Sequence, residues 1–444
     1  MPVLLRILQV ILALSVLILF HEAGHFVWAR IFRIRVDKFF LFFDAGGVKL
    51  FSTRMAWFQK LVPAAARWET EYGIGWLPLG GYCKIAGMVD ESLDTEALKQ
   101  PPQPWEFRSK PAWQRLFVMS GGVLNNLILA VLLFIAILAI WGDNYLPNDH
   151  PVYVNALGEE LGFRSGDRIL LYDDYAPEDF LELQADLARR QVKKVTVLRG
   201  TDTLELYMDQ RLMGAVVNTP GMFDMAVPFV VDSVAASSAN VGAGLLRGDR
   251  ITGVDGQATE YLQDAQKVLR AHPGSVLPVE VLRQGDTLTL PLQVDSLGML
   301  GVYTLNPSFQ HRSYTVWQSV PAGCSLAWHS VTGYLRDLRL VATPSTGAYK
   351  SVGSFVAIGQ VFPGRWNWHQ FLYILALLSI MLGVMNLLPI PALDGGHIVF
   401  CLYEILTGRK PSDRFLTVAQ IIGMVLLLLL MFLAFGNDIS RLIH

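Results

Sequence analysis

The residues best suited to chemistry are His21, Glu22 and His25, which form a His-Glu-x-x-His pattern inside the first long apolar stretch. Positions i and i+4 of a helix lie on one face about one turn apart, so the two imidazoles can bind one metal ion. Glu22 can then hold a water molecule against that ion, which is an arrangement suited to zinc-dependent hydrolysis. The alternative is two histidines that end a helix near a membrane interface and bind no metal.

A catalytic zinc usually takes three protein ligands and leaves a fourth position for water or substrate. The His-Glu-x-x-His pattern supplies two of them, and the candidates for the third are Asp394 and His397, which follow a later apolar stretch. Pro389 and Pro391 break a helix just before them and present Asp394 at the depth of His25. On spacing alone, His397 is a competing ligand.

Helices that cross a membrane have to position these residues. The 444 residues are 52% hydrophobic and 17% charged, which is too apolar for an ordinary soluble protein. Ionisable side chains inside hydrocarbon are costly, so they are functional candidates by default. The predicted fold class is an α-helical membrane protein, with four transmembrane helices at residues 1–31, 114–142, 369–394 and 413–436. The net charge of −2 gives no indication of a nucleic-acid partner.

Basic residues near the ends of these stretches predict the orientation of the chain, because cytoplasmic loops carry an excess of lysine and arginine. We therefore expect the N-terminus and residues 142–368 outside, and residues 30–115 inside. The zinc ligands would then lie towards the cytoplasmic face. The basic residues that support this orientation are Arg30, Arg33, Arg35, Lys38, Arg108, Lys110, Arg115, Arg409, Lys410 and Arg414.

Residues 32–113 form a region that mixes aromatic and glycine-rich extended stretches. Residues 72–82 are apolar but too rich in glycine for a helix, and we predict a β-hairpin or a loop there. One interpretation is a re-entrant element in the membrane, whose backbone must pack on protein or line a cavity. A pair of cytosolic strands that packs on itself is equally compatible with the sequence.

The outer segment contains an internal repeat, which predicts two copies of one small α+β domain at residues 150–225 and 226–308. The turn Gly-Asp-Arg-Ile that leads into a strand resembles bacterial PDZ domains, which bind extended peptides by adding a strand to a sheet edge. The alternative for each copy is a spacer domain without a ligand. The matching segments are 162–169 with 244–251, and 197–199 with 281–283.

A further helix is predicted at residues 313–345, where apolar side chains, including Trp317 and Trp328, recur at helical spacing. Its two tryptophans favour an amphipathic helix on the outer membrane surface. Packing against one of the repeat domains is the alternative.

Taken together, these motifs make the chain similar to the site-2 protease family of intramembrane zinc proteases, over nearly its whole length. The pair formed by His-Glu-x-x-His and the pattern N-x-x-P-x-P-x-L-D-G is the most specific part of the resemblance. The resemblance extends to Leu79, Gly80, Gly81 and Tyr82. The tandem repeats are weaker matches, as are Gly122 and Asn126 in the second apolar stretch.

The resemblance implies a zinc ion held by His21, His25 and Asp394, with Glu22 as general base. It implies a bacterial inner-membrane protein with periplasmic PDZ domains that restrict substrate access by size. Its substrates would be single-span membrane proteins, such as an anti-sigma factor or signal-peptide remnants, already trimmed by another protease. The lipid bilayer is the other expected partner.

A transmembrane substrate hides its peptide bonds in a helix, so it must unwind locally before cleavage. Asn386 and Asn126 are candidates to hydrogen-bond the freed backbone, and the glycine-rich segment 73–81 is a candidate to pair with it as a strand. For Asn126 the alternative is a hydrogen bond between helices. The complete set of candidate substrate-binding residues is Asn386, Pro389, Pro391, Asn126, Gly80 and Gly81.

Two other classes of protein are compatible with parts of this pattern. A membrane scaffold would use the repeat domains to bind peptide tails, but it would not need Glu22 between two histidines. A metal transporter would carry ligands along several spans, whereas the second and fourth apolar stretches contain no His, Asp, Glu or Cys in their cores.

Overall fold

The computed structural model describes residues 2–78, 80–88, 101–219, 221–305, 309–343, 349, 353 and 355–443. Leu79, one of the residues that carry the resemblance, lies outside this part. The chain divides into two compact units. The first comprises residues 1–142, 313–339 and 350–444, and the second comprises residues 143–312 and 340–349.

The helices and strands follow in chain order. The helices are α1 (Pro2–Ile31), α2 (Ala56–Leu61), α3 (Ala112–Trp141), α4 (Ala156–Glu160), α5 (Leu183–Arg189), α6 (Met213–Asn218), α7 (Leu262–Ala271), α8 (Val316–Val341), α9 (Phe355–Val361), α10 (Trp368–Leu387), α11 (Asp394–Thr407) and α12 (Asp413–Ile443). The strands are β1 (Val36–Leu41), β2 (Lys49–Ser52), β3 (Glu71–Gly75), β4 (Tyr82–Ile85), β5 (Asp143–Tyr145), β6 (Val152–Val154), β7 (Arg168–Tyr172), β8 (Lys194–Arg199), β9 (Asp202–Tyr207), β10 (Phe223–Met225), β11 (Val231–Val234), β12 (Arg250–Val254), β13 (Gln257–Ala258), β14 (Val276–Arg283), β15 (Asp286–Gln293), β16 (Val302–Thr304) and β17 (Gln310–Arg312).

Four helices in the described part of the chain are long and apolar enough to cross a membrane: α1, α3, α10 and α12. Their number and approximate positions agree with the sequence prediction. The third is shorter than the predicted span at 369–394, because α10 ends at Leu387 and Asp394 begins the separate helix α11. Pro389 and Pro391 explain the break, since proline lacks an N–H and disfavours helical geometry in the residue before it.

Helix α3 contacts α1, α10 and α11 along its length and so forms the centre of the first unit. Its crossing with α1 is close because Gly24 and Gly121 meet there. A Cβ atom at Gly24 would collide with the carbonyl group of Gly121, and a Cβ atom at Gly121 would lie 2.6 Å from the carbonyl oxygen of Gly24. Glycine at both positions therefore lets the two backbones touch.

The aromatic and glycine-rich region forms a four-stranded sheet of order β2-β3-β1-β4. Strand β1 pairs parallel with β3 and antiparallel with β4, so β3 and β4 flank it on opposite sides. The β-hairpin predicted at residues 72–82 is therefore wrong, because the strands at its two ends, β3 and β4, do not pair with each other. Gly73 and Gly75 lie in β3, between β1 and β2, where the backbone hydrogen bonds already go to the sheet.

The second unit contains two β-rich modules, the first built around strands β7 to β9 and the second around strands β12 to β15. In each module, an aspartate pairs with an arginine from a neighbouring strand. Asp167 accepts hydrogen bonds from Arg199 at 2.7 and 2.8 Å, and Asp249 accepts two from Arg283 at 2.7 Å. The hydrogen bonds from Arg283 hold the pKa of Asp249 below its usual range. The repeated Gly-Asp-Arg and Val-Leu-Arg segments thus supply the two halves of one buried ion pair in each module.

Each module encloses its own apolar core. One sheet has the order β7-β8-β9 and the other the order β13-β12-β14-β15. The largest buried side chains of the first core include Phe163, Ile169 and Tyr172, and Ile251 and Val281 are fully buried in the second.

Helix α8 packs one face against the centre of the first unit. Ala327 is buried in an apolar cluster with Phe134 of α3 and Ile380 of α10, while Trp317 and Trp328 on other faces are largely exposed. The structure thus gives the helix predicted at 313–345 a contact with the transmembrane helices, which neither sequence interpretation included.

Candidate metal centre

The side chains of His21, His25 and Asp394 converge in the first unit. The two histidines lie one turn apart on α1, and Asp394 is the first residue of α11. The Asp394 Oδ2 atom is 3.2 Å from His21 Nε2 and 3.3 Å from His25 Nε2, and the two Nε2 atoms are 3.3 Å apart. Among the described residues, this is the group of histidine, cysteine and acidic side chains whose geometry suits a metal ion.

The three atoms fit a tetrahedral zinc site with one position left open. Zinc–ligand bonds of about 2.0–2.2 Å place neighbouring ligand atoms roughly 3.3–3.6 Å apart, close to the three distances observed. Asp394 Oδ2 is buried, and two imidazole nitrogens lie beside it. Two imidazole nitrogens and a carboxylate oxygen can each offer a lone pair, and together they are a donor set that suits zinc.

Helix α3 orients both imidazole rings from behind. The His25 Nδ1 atom is 2.9 Å from the carbonyl oxygen of Val118, and the His21 Nδ1 atom is 3.1 Å from the side-chain amide of Asn126. These contacts leave both Nε2 atoms directed towards Asp394. Partners of this kind fix the tautomer and the orientation of a metal-binding histidine.

Gly122 lies between these two partners on α3 and makes room for the rings. A Cβ atom there would lie 2.6 Å from His21 Cε1 and 2.6 Å from His25 Nε2. Any larger residue would therefore displace the two imidazoles from their positions.

Glu22 follows His21 on α1 and lies next to the sheet. The backbone N–H of Cys83 on β4 lies next to the Glu22 carboxylate. Strand β4 stands at one end of the strand order β2-β3-β1-β4. The candidate base therefore lies against the backbone of the strand that ends the sheet.

His397 does not join the group formed by the two histidines and Asp394. It lies one turn along α11 and lines a separate cavity together with Arg115, Cys401 and Glu404. The structure therefore brings Asp394, and not His397, next to the two histidines.

The predicted substrate-binding residues separate into two groups. The Asn386 side-chain amide is 3.4 Å from His21 Nε2, and Pro389 and Pro391 lie in the break between α10 and α11 next to Asp394. Asn126, by contrast, is fully buried behind His21.

Gly80 and Gly81 serve close packing in the structure. A Cβ atom at Gly80 would collide with the ring of Phe43, and one at Gly81 would lie 2.6 Å from Ile18 and 2.7 Å from the carbonyl oxygen of Phe40. The absence of a side chain therefore lets Gly81 approach α1 and lets Gly80 approach the ring of Phe43.

Two groups beside the candidate site residues were missed by the sequence reasoning: the Val118 carbonyl and the Cys83 N–H. Both belong to the backbone, so no residue type at either position could have pointed to them. Only the crossing of α1 with α3 and the register of β4 define where they lie.

Comparisons with known proteins agree with this geometry. Residues 9–430 match the sequence profile of peptidase family M50, the site-2 protease family. The regulator of sigma-E protease RseP of Salmonella typhimurium strain 14028s is 30% identical, with 97% of this chain and 98% of that protein aligned. RseP of Escherichia coli strain K12 is 28% identical over the same shares. A protein of Xylella fastidiosa strain Temecula1, which is provisionally named a zinc metalloprotease, is 31% identical, with 97% of each chain aligned.

Proposed function

The chain belongs to peptidase family M50 and is a zinc metalloprotease of the membrane; from that premise, we propose that it cleaves single-span membrane proteins within or near their transmembrane segments. The observation that carries this proposal is the convergence of His21, His25 and Asp394 beside Glu22, on helices that can themselves cross a membrane. A substrate has to reach that depth to be cleaved.

In this proposal His21, His25 and Asp394 hold the zinc, and Glu22 is the general base. Zinc supplies Lewis-acid chemistry, since it polarises a carbonyl group and lowers the pKa of water to about 7. Glu22 accepts the proton of the attacking water and then transfers it to the nitrogen of the leaving amine. The Cys83 N–H, which lies next to the Glu22 carboxylate, is placed to orient it during this transfer.

The substrate is expected to bind in an extended conformation along β4. This strand ends the sheet order and its Cys83 lies next to Glu22, so a peptide that follows β4 passes the base and the proposed metal ligands. Asn386, whose side-chain amide lies 3.4 Å from His21 Nε2, is then in reach of the substrate backbone. The earlier candidate 73–81 is less suitable, because β3 is enclosed between β1 and β2.

The test is metal-dependent cleavage by the purified full chain. It should contain about one zinc per chain and cut a single-span substrate at a bond inside its apolar segment, located by mass spectrometry of the products. Removal of zinc by a chelator should abolish cleavage and leave the helical circular dichroism unchanged, and added zinc should restore it. Undiminished cleavage by the zinc-free protein, or cuts only outside the apolar segment, would contradict the proposal.

We also propose an orientation of the chain in the membrane and a role for the two repeats. The basic flanks support an inner-membrane protein with its N-terminus and second unit in the periplasm and its metal site towards the cytoplasm. We take the two modules to be PDZ-like domains that restrict access by substrates with a bulky outer domain. Within the second unit, Tyr153 of the first module donates a hydrogen bond of 2.6 Å to Asp264 on α7 of the second, so the two modules are tied together.

Deletion of the modules should relax this restriction. Tyr145 of β5 and Gln310 of β17 are paired partners, so a short glycine-rich turn can replace residues 146–309 and keep the ends of the deletion together. The shortened enzyme should bind zinc and cleave a substrate that retains a large outer domain, which the full chain should reject. Both enzymes are compared in the same liposomes with long and trimmed forms of one substrate.

Three outcomes can be told apart in this comparison. Cleavage of the long substrate by the shortened enzyme alone supports the restriction. Equal treatment of long and trimmed substrates by both enzymes contradicts it. Loss of all cleavage with zinc still bound indicates that the modules dock the substrate instead.

A further inference from the structure

The side chain of Asn126 has an assigned hydrogen-bonding pattern that conflicts with zinc binding by His21. Asn126 is completely buried on α3, and its side-chain nitrogen is assigned 3.1 Å from His21 Nδ1. Its side-chain oxygen, Oδ1, is buried without a hydrogen-bond partner among the described residues. A buried amide oxygen that accepts nothing is costly, so this assignment needs an explanation.

The requirements of a metal ligand supply that explanation. If His21 binds zinc through Nε2, its remaining proton is on Nδ1, which then has to donate a hydrogen bond. An amide N–H cannot accept it, but the amide oxygen can. The oxygen and nitrogen of a carboxamide have nearly the same shape, and a half-turn of the side chain exchanges them. After this exchange Oδ1 faces His21 Nδ1 and can accept its proton.

We propose that Asn126 is a positioning residue for His21, rather than a substrate-binding residue. Its Oδ1 accepts the Nδ1 proton, which selects the tautomer whose Nε2 lone pair is available to zinc and holds the ring in place. The inference rests on the proposed function, because it concerns the same metal centre. It excludes a direct contact with substrate, since Asn126 is fully buried behind the ring.

The arrangement of α3 supports this role. Val118, Gly122 and Asn126 are spaced four residues apart and therefore lie along one face of the helix. The first provides an acceptor for His25 Nδ1, the second leaves space for both rings, and the third faces His21 Nδ1. Ser379 of α10 donates a hydrogen bond of 2.7 Å to the Asn126 carbonyl oxygen, which fixes the backbone at this position.

The neighbouring Asn125 provides a matched control. Its side chain also reaches α1, where its amide nitrogen donates a hydrogen bond of 3.1 Å to the carbonyl oxygen of Phe20. An ordinary hydrogen bond between α1 and α3 is therefore removed by Asn125→Leu, whereas Asn126→Leu removes the acceptor of His21. Asn126→Asp keeps an acceptor at the same place.

The test measures the zinc affinity of the purified full chain by competition with a chromophoric chelator. Asn126→Leu should bind zinc about 10–100-fold more weakly than the wild type, the range found for outer partners of metal ligands. Asn126→Asp should recover most of this loss, and Asn125→Leu should retain wild-type affinity. The absorption bands of the cobalt-substituted protein should change in Asn126→Leu and not in Asn125→Leu.

Zinc affinity of Asn126→Leu equal to that of the wild type would overturn the inference, as would the same loss in Asn125→Leu. If Asn126→Leu does not fold, Asn126→Ala takes its place, with folding checked by the thermal unfolding of the zinc-free protein. A wild-type chain that binds no zinc contradicts the proposed function itself. If the wild type binds zinc and the Asn126 variant binds it equally well, only the role of Asn126 is contradicted.

Discussion

Glu22→Gln is expected to fold and to bind zinc like the wild type, and yet to cleave a single-span substrate about 10²–10⁴-fold more slowly. The amide has the size of the carboxylate but cannot accept the proton of the attacking water. Glu22 is not one of the three converging ligand atoms, so its replacement leaves the donor set intact. The measurement is the initial cleavage rate in liposomes, beside the zinc content of the same preparation.

Glu69→Gln is a suitable control for this variant. Glu69 is half exposed and pairs with Arg30, so its loss removes a carboxylate of the same unit away from the metal ligands. Its cleavage rate should stay within about twofold of the wild type, because exposed ion pairs contribute little to stability. Cleavage by zinc-loaded Glu22→Gln at a rate near that of Glu69→Gln would refute the role of Glu22 as general base.

Asp394→Asn should lower zinc affinity by more than about 100-fold, beyond the range found when only an outer partner of a ligand is changed. The neutral amide is a poor zinc ligand compared with a carboxylate. The two imidazoles would then hold the ion with two protein ligands, one fewer than catalytic zinc sites usually have. Chelator competition on the purified variants measures this change, and cleavage should disappear in parallel.

His397→Gln is the control for the third ligand, because His397 was the competing candidate on spacing. It lies on the same helix α11 but outside the converging group, so the variant should keep its zinc. Retention of zinc by Asp394→Asn together with its loss in His397→Gln would reverse the assignment. Loss in both would indicate that α11 as a whole has moved.

The parts of the site that depend on residue type could be predicted from the sequence. His21 and His25 are informative because histidine in hydrocarbon is costly and because their separation matches one helical turn. The two prolines before Asp394 indicated a break in the helix, although not that the aspartate would begin a new one. The repeated Gly-Asp-Arg segments predicted two similar modules, because the same residue types recur in the same order in both copies.

The parts that depend on tertiary backbone geometry could not be predicted. Strand β1 lies between β3 and β4 in the sheet, although the glycine-rich segment that joins β3 to β4 looks like a hairpin in the sequence. The buried position of Asn126 behind His21 follows from the crossing of α3 with α1, which no local pattern encodes. The sequence named Asn126 as a candidate, but the histidine beside it could not be identified without the fold.

The proposed metal ligands lie far apart along the chain, and this has a consequence for biosynthesis. Synthesis runs from the N-terminus, so α1 with both histidines is made before Asp394 and α11. A nascent chain that lacks α11 has an incomplete ligand set, and we expect it to be inactive as a protease. The order of the helices thus postpones activity until α11 has joined α1 and α3.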